Sequence, residues 1–349
     1  MLRSLRYINL LVVLFTLSIP QNALSENPGT WEYYKNTFIS SDGRIVDYAQ
    51  NKSSHSEGQG YGMLLSIYYN DQSTFNKILN WTIYNLKIRN DNLFAWHWGQ
   101  RITGDWGIID YNNATDGDLL IAWALIKASK KWNRPRLKTD GIAIANSIKN
   151  ELIINRKGNL YLMPGYFGFD TDQKIELNPS YFIYPAFEQF AREGNAKFWK
   201  KLSTHSLNIT FYTLFTRLNL PANWLKIESN GVISLDHKRS KNFGYEAIRI
   251  PLYLSMSKKK KHLRAFSQYL NFYEKLGYLP DIIDLEDKQI SMNEAPAGFH
   301  AVFSICAKFL GRSRLSKKLM KKANQKIATE RHDYYSNTLY LIVRKVMSQ

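Results

Sequence analysis

Apolar residues recur at helical spacing along most of the chain, in segments 60–71, 74–87, 117–132, 140–154, 181–193, 197–218, 245–257, 262–276, 294–310, 313–327 and 333–347. Turn formers separate them, among them Asn90-Asp91-Asn92, Asn133-Arg134-Pro135, Asn178-Pro179 and Gly277-Tyr278-Leu279-Pro280. Strand-like alternation is scarce, and its clearest stretches, 159–163 and 231–235, are short enough to be ribbons within loops. About eleven helices with few strands predict an all-α domain, either a closed ring of helix pairs or an open solenoid. No strict repeat favours the solenoid. No Pro/Ser-rich linker or shift in composition divides the chain, so residues 26–349 are expected to form one domain.

The first 25 residues follow a different pattern: Arg3 and Arg6, an apolar core over 8–19, then Ala23-Leu24-Ser25. This is the layout of a secretory signal peptide. Its core of about a dozen apolar residues falls short of the roughly 20 that span a bilayer. Cleavage after Ser25 is therefore expected, with a periplasmic or secreted protein and no stable membrane anchor. Cys306 is the only cysteine, so no disulfide within the chain can brace an exported fold. Stability must come from a core, which 44% apolar residues can fill.

The formal net charge of +18 raises the question of a nucleic-acid partner. The lysines are spread along the chain, however, and no nucleic-acid-binding motif accompanies them. The one dense run, 258–261, follows an apolar segment and suits a helix C-terminus. No nucleic-acid partner is expected. The seven histidines lack metal-binding spacing, and P-loop, GxGxxG and GxSxG motifs are absent, so neither a metal nor another cofactor is expected.

Carboxylates in glycine-rich and aromatic surroundings remain. In SEGQGYGM, Glu57 heads a run whose three alternating glycines would each cost a helix about 1 kcal/mol relative to alanine. Ser56-x-x-Gln59 reads as a capping box, or the missing side chains clear space around a working carboxylate. Asp116 lies behind a similar pattern, Thr115-x-x-Asp118, and Glu246 has Arg249 three residues on, within reach of an ion pair. Aromatics crowd these stretches: Trp96 and Trp98 in FAWHWG, Tyr181 and Tyr184 in NPSYFIYPAF. Such residues are often core. Flat rings beside amides and carboxylates also suit a carbohydrate, whose C–H face stacks while its hydroxyls seek acceptors.

Residues 114–132, ATDGDLLIAWALIKASKKW, resemble the signature of glycoside hydrolase family 8, and SEGQGYGM, FAWHWG, NPSYF and YxAxRxP resemble its other blocks in the same order, from about residue 31 to 345. The resemblance implies an (α/α)6 barrel, six inner and six outer helices with a substrate cleft at one end. It implies inverting hydrolysis of β-1,4 bonds, chiefly by endoglucanases, with xylanase, chitosanase and lichenase members. Glu57 then matches the general acid and Asp116 the acid that holds the sugar just before the cleavage point. Glu246 stands where the family's water-activating base is usually aspartate, and Arg249 would keep it ionised. Inversion needs two carboxyls about 6.5–9.5 Å apart and a protonated acid near neutral pH. Trp96, Trp98, Tyr181 and Tyr184, with Arg249, are expected to bind substrate, Trp96 and Tyr181 being the preferred sugar-stacking rings. The basic balance disfavours a cationic substrate such as chitosan, which leaves a neutral β-1,4-glucan. Similar proteins of Gram-negative bacteria accompany cellulose synthesis, so the cellulose synthase machinery is an expected partner. Alternatives are a xylanase, an exo-acting hydrolase, or a catalytically weakened glycan-binding component, the last motivated by glutamate at 246.

Overall fold

The structure, a computed structural model, describes residues 27–212 and 220–348. The signal-peptide segment and the end of the predicted helix 197–218 lie outside the described residues. Twelve α-helices are present among those described. Six are inner: α2 (Ser56–Tyr69), α4 (Thr115–Trp132), α6 (Tyr184–Glu193), α8 (Arg249–Ser255), α10 (Ala297–Phe309) and α12 (Tyr334–Met347). Each packs on the next, and α12 returns to α2, closing the ring. Around them lie α1 (Trp31–Phe38), α3 (Gln72–Leu86), α5 (Pro135–Glu151), α7 (Ala196–Tyr212), α9 (Ser267–Leu276) and α11 (Ser313–Ile327). The fold is an (α/α)6 barrel.

Sequence decides which helix goes where. In α10 the run Ala297–Ala307 is buried on every side, which its nearly continuous small and aromatic apolar residues permit. On α11 only Leu315, Ser316, Leu319, Ala323 and Ile327 are buried, a single stripe with lysines on the solvent side. Two departures from the predicted elements have local causes. The segment 140–154 leaves its helix at Glu151, because Ile153–Arg156 (β4) pairs with Asn159–Leu162 (β5) through a two-residue turn. Lys157 and Gly158 both have positive φ there, as such hairpins require. Helix α1 is two turns of mostly aromatic residues started by the Thr30 side chain, which accepts from the Tyr33 N–H at 3.2 Å, and is too short to show a period.

The inner helices all begin at one end of the barrel, where the strands gather as a rim. Ser54–His55 (β1), His97–Gln100 (β2) and Trp106–Asp110 (β3) form an antiparallel sheet in that order. Lys174–Leu177 (β6), Leu225–Glu228 (β7) and Ile233–Leu235 (β8) form a second, and Asn242–Phe243 (β9) pairs with Ile283–Asp284 (β10).

Candidate active site

The SEGQGYGM and ATDGD stretches start neighbouring inner helices, and their glycines let the two helices touch. A Cβ on Gly60 would stand 2.5 Å from the Leu120 Cβ, and one on Gly117 would stand 2.1 Å from the Ser56 Oγ. The close approach is helix on helix, and it brings Glu57 and Asp116 together in two first turns where the helix dipoles favour anions. Neither capping box forms. His55, not Ser56, is the N-cap of α2, and the Gln59 side chain instead accepts from the Ile45 N–H at 2.7 Å and donates to the Thr82 hydroxyl at 2.9 Å. Thr115 donates to the Met163 carbonyl at 2.6 Å, while Asp118 accepts from the Phe94 N–H at 2.9 Å and the Asn113 amide at 2.7 Å. Gln59, Thr115 and Asp118 are engaged by tertiary partners, while the buried Ser56 hydroxyl has no hydrogen-bond partner among the described residues.

Arg249, the first residue of α8, reaches across the barrel mouth. Its Nη1 lies 2.8 Å from Glu57 Oε2 and 3.0 Å from Asp116 Oδ2. Its Nη2 donates to Ser180 Oγ at 2.7 Å and pairs with Glu246 Oε2. Asn178 donates to the same Glu246 oxygen at 3.1 Å and Ser180 to it at 3.4 Å. Three carboxylates from three separated segments thus meet on one guanidinium. Burial pushes the Asp116 carboxyl well above the usual carboxylate range, and Glu57 and Glu246 add to the push that Arg249 opposes. Burial works against the Arg249 charge too, but Glu57 and Glu246 overcome it and hold its pKa well above the ordinary value. Among the described residues, no group of three or more His, Cys, Asp or Glu side chains is placed to hold a metal ion.

The predicted aromatics divide. Tyr181 lies beside the acids, its ring centre 5.4 Å from the Arg249 guanidinium and 6.2 Å from Trp224. The Trp96 carbonyl accepts from the Ser56 N–H at 3.0 Å at the start of α2, and its indole N–H donates to Asp110 at 2.8 Å. Trp98 is half-buried in a stack: Trp81 meets it edge-on, Trp106 stacks on it at 5.3 Å, and Arg44 sits 5.0 Å from its centre. The exposed ring of that stack is Trp106. Tyr184 is wholly buried with its hydroxyl 3.3 Å from Thr210, so it is a core residue and not a substrate contact. Pro185 lies in the first turn of α6, where a helix accommodates proline without losing a hydrogen bond.

Sequence reasoning missed a belt of tyrosines. Tyr61 follows Glu57 by four residues and Tyr253 follows Arg249 by four, so each shares a helix face with a site residue, and their hydroxyls hydrogen-bond to one another. Tyr334 and Tyr335 at the start of α12 complete the belt, and burial raises all four phenols well above their ordinary pKa. The helical spacing was the available signal. Asn178 and Ser180 were also visible in NPSYF, but only the fold brings them to Glu246.

The sequence pattern of Glycosyl hydrolases family 8 matches residues 1–349. An endoglucanase of Cellulomonas uda is 37% identical over 225 residues, which are 64% of this chain and 62% of that protein. A probable endoglucanase of Novacetimonas hansenii is 33% identical over 279 residues, covering 78% of this chain and 80% of its own. Among solved structures, endoglucanase Cel10 of Klebsiella pneumoniae, a family 8 glycosyl hydrolase, is similar with a TM-score of 0.80 at 30% identity, covering 91% of this chain and 98% of that one. With the ring of paired helices and the acids gathered at one mouth, these matches agree on one conclusion: the chain belongs to glycosyl hydrolase family 8.

Proposed function

We propose that this chain is an endo-acting β-1,4-glucanase that cleaves by single displacement with inversion. The observation that carries the reading is the convergence of Glu57, Asp116 and Glu246 on Arg249 at the open end of the barrel. Glu57 protonates the leaving glycosidic oxygen. Glu246 takes a proton from the attacking water, with Arg249, Asn178 and Ser180 all bonded to its Oε2. Asp116, buried between them, accepts from hydroxyls of the sugar before the cleavage point. Tyr181 and Trp96 flank this centre as stacking faces for neighbouring sugars, with Trp106 as the exposed ring of the adjacent sheet. A neutral glucan fits a protein of net charge +18 better than chitosan does. The names of the relatives, endoglucanases in each case, support the same substrate class. Removal of residues 1–25 on export, a single catalytic domain over 26–349, a periplasmic or secreted location and association with cellulose synthase machinery belong to the same reading.

The test is hydrolysis of a neutral soluble β-1,4-glucan, with viscosity and reducing ends followed together. Early loss of viscosity is expected for internal cleavage, and Glu57→Gln should abolish turnover of this unactivated substrate. Proton NMR should show the α-anomer first. An initial β-anomer would contradict inversion, while tight binding of cello-oligosaccharides without turnover by either protein would leave only the glycan-binding reading. Preferential release of xylose oligomers, or of terminal units without early viscosity loss, would move the assignment to a xylanase or an exo-acting hydrolase.

A further inference from the structure

The charge that the site does not use collects at the opposite pole, where the inner helices end. Helix α4 closes with Lys130 and Lys131, α6 with Arg192, and α12 with Arg344 and Lys345. The run 258–261 begins just beyond α8. A cation in a last turn is what a helix dipole favours, at about 0.3–1 kcal/mol each. That does not account for four consecutive lysines after α8, nor for Lys127 beneath the end of α4. The Lys127 ammonium sits 5.4 Å from the centre of Tyr68 and 5.5 Å from that of Trp123, and no carboxylate pairs with it among the described residues. It opens on a cavity of about 830 Å³ lined also by Lys130, Lys131 and Lys138. Burial, then Arg192, Lys131 and Lys130, pull its pKa below the ordinary lysine value. Beyond α6 a second cavity of about 510 Å³ is lined by Arg192, Lys200, Lys258 and Lys259. Glu193 pairs with Lys138 at 2.6 Å, and Glu188, which accepts from the Lys258 backbone N–H at 3.0 Å, is one carboxylate among the four cations of the second cavity. Cations in excess of their counter-charges repel, and an anionic partner relieves that repulsion.

We propose that this basic pole docks the protein on an anionic phospholipid surface, with phosphate headgroups entering the two lysine-lined cavities and the cleft facing away. Cations at the ends of several helices spread over a broad face, which matches an extended layer of headgroups, whereas a nucleic-acid strand is tracked by a groove lined with stacking faces. Exposed Phe309, with the Lys260 ammonium 3.8 Å from its ring centre, places an aromatic at the same pole, as interfacial surfaces do. The docking is peripheral: among the described residues no helix is long and apolar enough to cross a membrane.

Sedimentation of the full chain with phosphatidylcholine vesicles, with and without phosphatidylglycerol, tests this. Any insertion of the N-terminal segment is common to all variants and cancels in their comparison. Binding is expected with phosphatidylglycerol and to weaken as salt rises. Lys130→Glu, Lys131→Glu, Lys258→Glu and Lys259→Glu together should weaken it about a hundredfold or more, and Lys127→Gln alone about fivefold. The same number of reversals at the other pole, Lys52→Glu, Lys157→Glu, Lys238→Glu and Lys288→Glu, should leave it within about threefold. Unchanged hydrolysis of neutral cellohexaose by the first quadruple variant would show that its fold stands, and Lys127→Gln reads the same effect without charge reversal. Equal binding to both lipids, equal loss in both quadruple variants, or binding to DNA or an acidic protein with vesicles left free would overturn the proposal.

Discussion

Replacing Arg249 with methionine keeps most of the side-chain volume and removes the charge on which three acids converge. The three pairs differ in weight. Arg249 and Asp116 are 3% and 1% exposed, whereas Glu57 is 22% and Glu246 38% exposed. The Glu246 pair is screened by solvent and contributes on the order of 1 kcal/mol or less. The loss therefore falls mainly on Asp116, where stranding one member of a buried pair costs about 3–5 kcal/mol. Protonation sets a ceiling. Keeping Asp116 neutral in the folded state, against an unfolded pKa of about 3.9, costs about 1.36 kcal/mol per pH unit, hence about 5 kcal/mol at pH 7.5 and about 1.5 kcal/mol at pH 5. The sign follows. An acid whose folded pKa is raised binds more protons when folded, so its contribution is most favourable below the unfolded pKa and is lost as pH climbs towards the folded value. Without Arg249, which opposes the rise, the folded pKa climbs further and the loss continues to higher pH. Urea denaturation of both proteins should give a destabilisation that is larger near pH 7.5 than near pH 5, bounded by about 5 and about 1.5 kcal/mol and smaller than these by what burial already costs the Asp116 charge in the wild type. An equal destabilisation at both pH values would refute the reasoning, because Asp116 would then not be the charge that Arg249 neutralises.

Glu246→Asp should retain turnover, since a carboxylate remains near the clamp, and Glu246→Ala should lower kcat by at least about a hundredfold in steady-state assays; equal activity in both would remove residue 246 from the mechanism. Burial pushes the Asp118 carboxyl up to about 7, so wild-type stability should fall as pH rises from about 4 to about 7, and Asp118→Asn should remove that part of the slope in denaturation curves. The same variant sets an amide against the Asn113 amide, which already uses its oxygen on the Tyr166 N–H at 2.7 Å, and should lose about 1–3 kcal/mol at neutral pH. Gly117→Ala puts a methyl 2.1 Å from Ser56 Oγ and 2.8 Å from the Glu57 nitrogen. It should cost about 1–3 kcal/mol in thermal or chemical denaturation and reduce kcat more than it raises KM, as the two acids are pried apart.

What the sequence made legible follows from the range of the interactions involved. Each of the eleven helical segments has a counterpart in the barrel, because a 3.6-residue period is written locally wherever one face of a helix is buried. Arg249 and Glu246 are three residues apart, and their pairing was readable for the same reason. Nothing in the sequence distances reveals that this arginine also bonds Glu57 and Asp116, which lie on two other inner helices. Tyr184 shows the converse limit, since an aromatic at a helix entrance looks the same whether its ring faces a groove or the core. The capping boxes failed for a related reason: Gln59 was free to cap α2 locally, but Ile45 and Thr82 supply it with buried partners.

Glutamate at 246 stands where the sequence resemblance implied aspartate, and the surroundings explain how the longer side chain can serve the proposed role. All its hydrogen bonds fall on one oxygen: Arg249, Asn178 and Ser180 reach Oε2, and Oε1 has no protein partner among the described residues. The backbone is held as well, because the Arg249 N–H donates to the Glu246 carbonyl at 3.2 Å. A side chain fixed at both ends gains little freedom from one added methylene. In the proposed mechanism the clamp, rather than the length of the side chain, sets where the free oxygen points. The asymmetry also separates the oxygen that anchors the carboxylate from the oxygen left open, which is the division of labour the proposed general base requires. Asn178 and Ser180, adjacent to Tyr181 in one short segment, tie the carboxylate to an aromatic face of the mouth. A loosened NPSYF segment would therefore disturb the proposed base and the proposed sugar platform together.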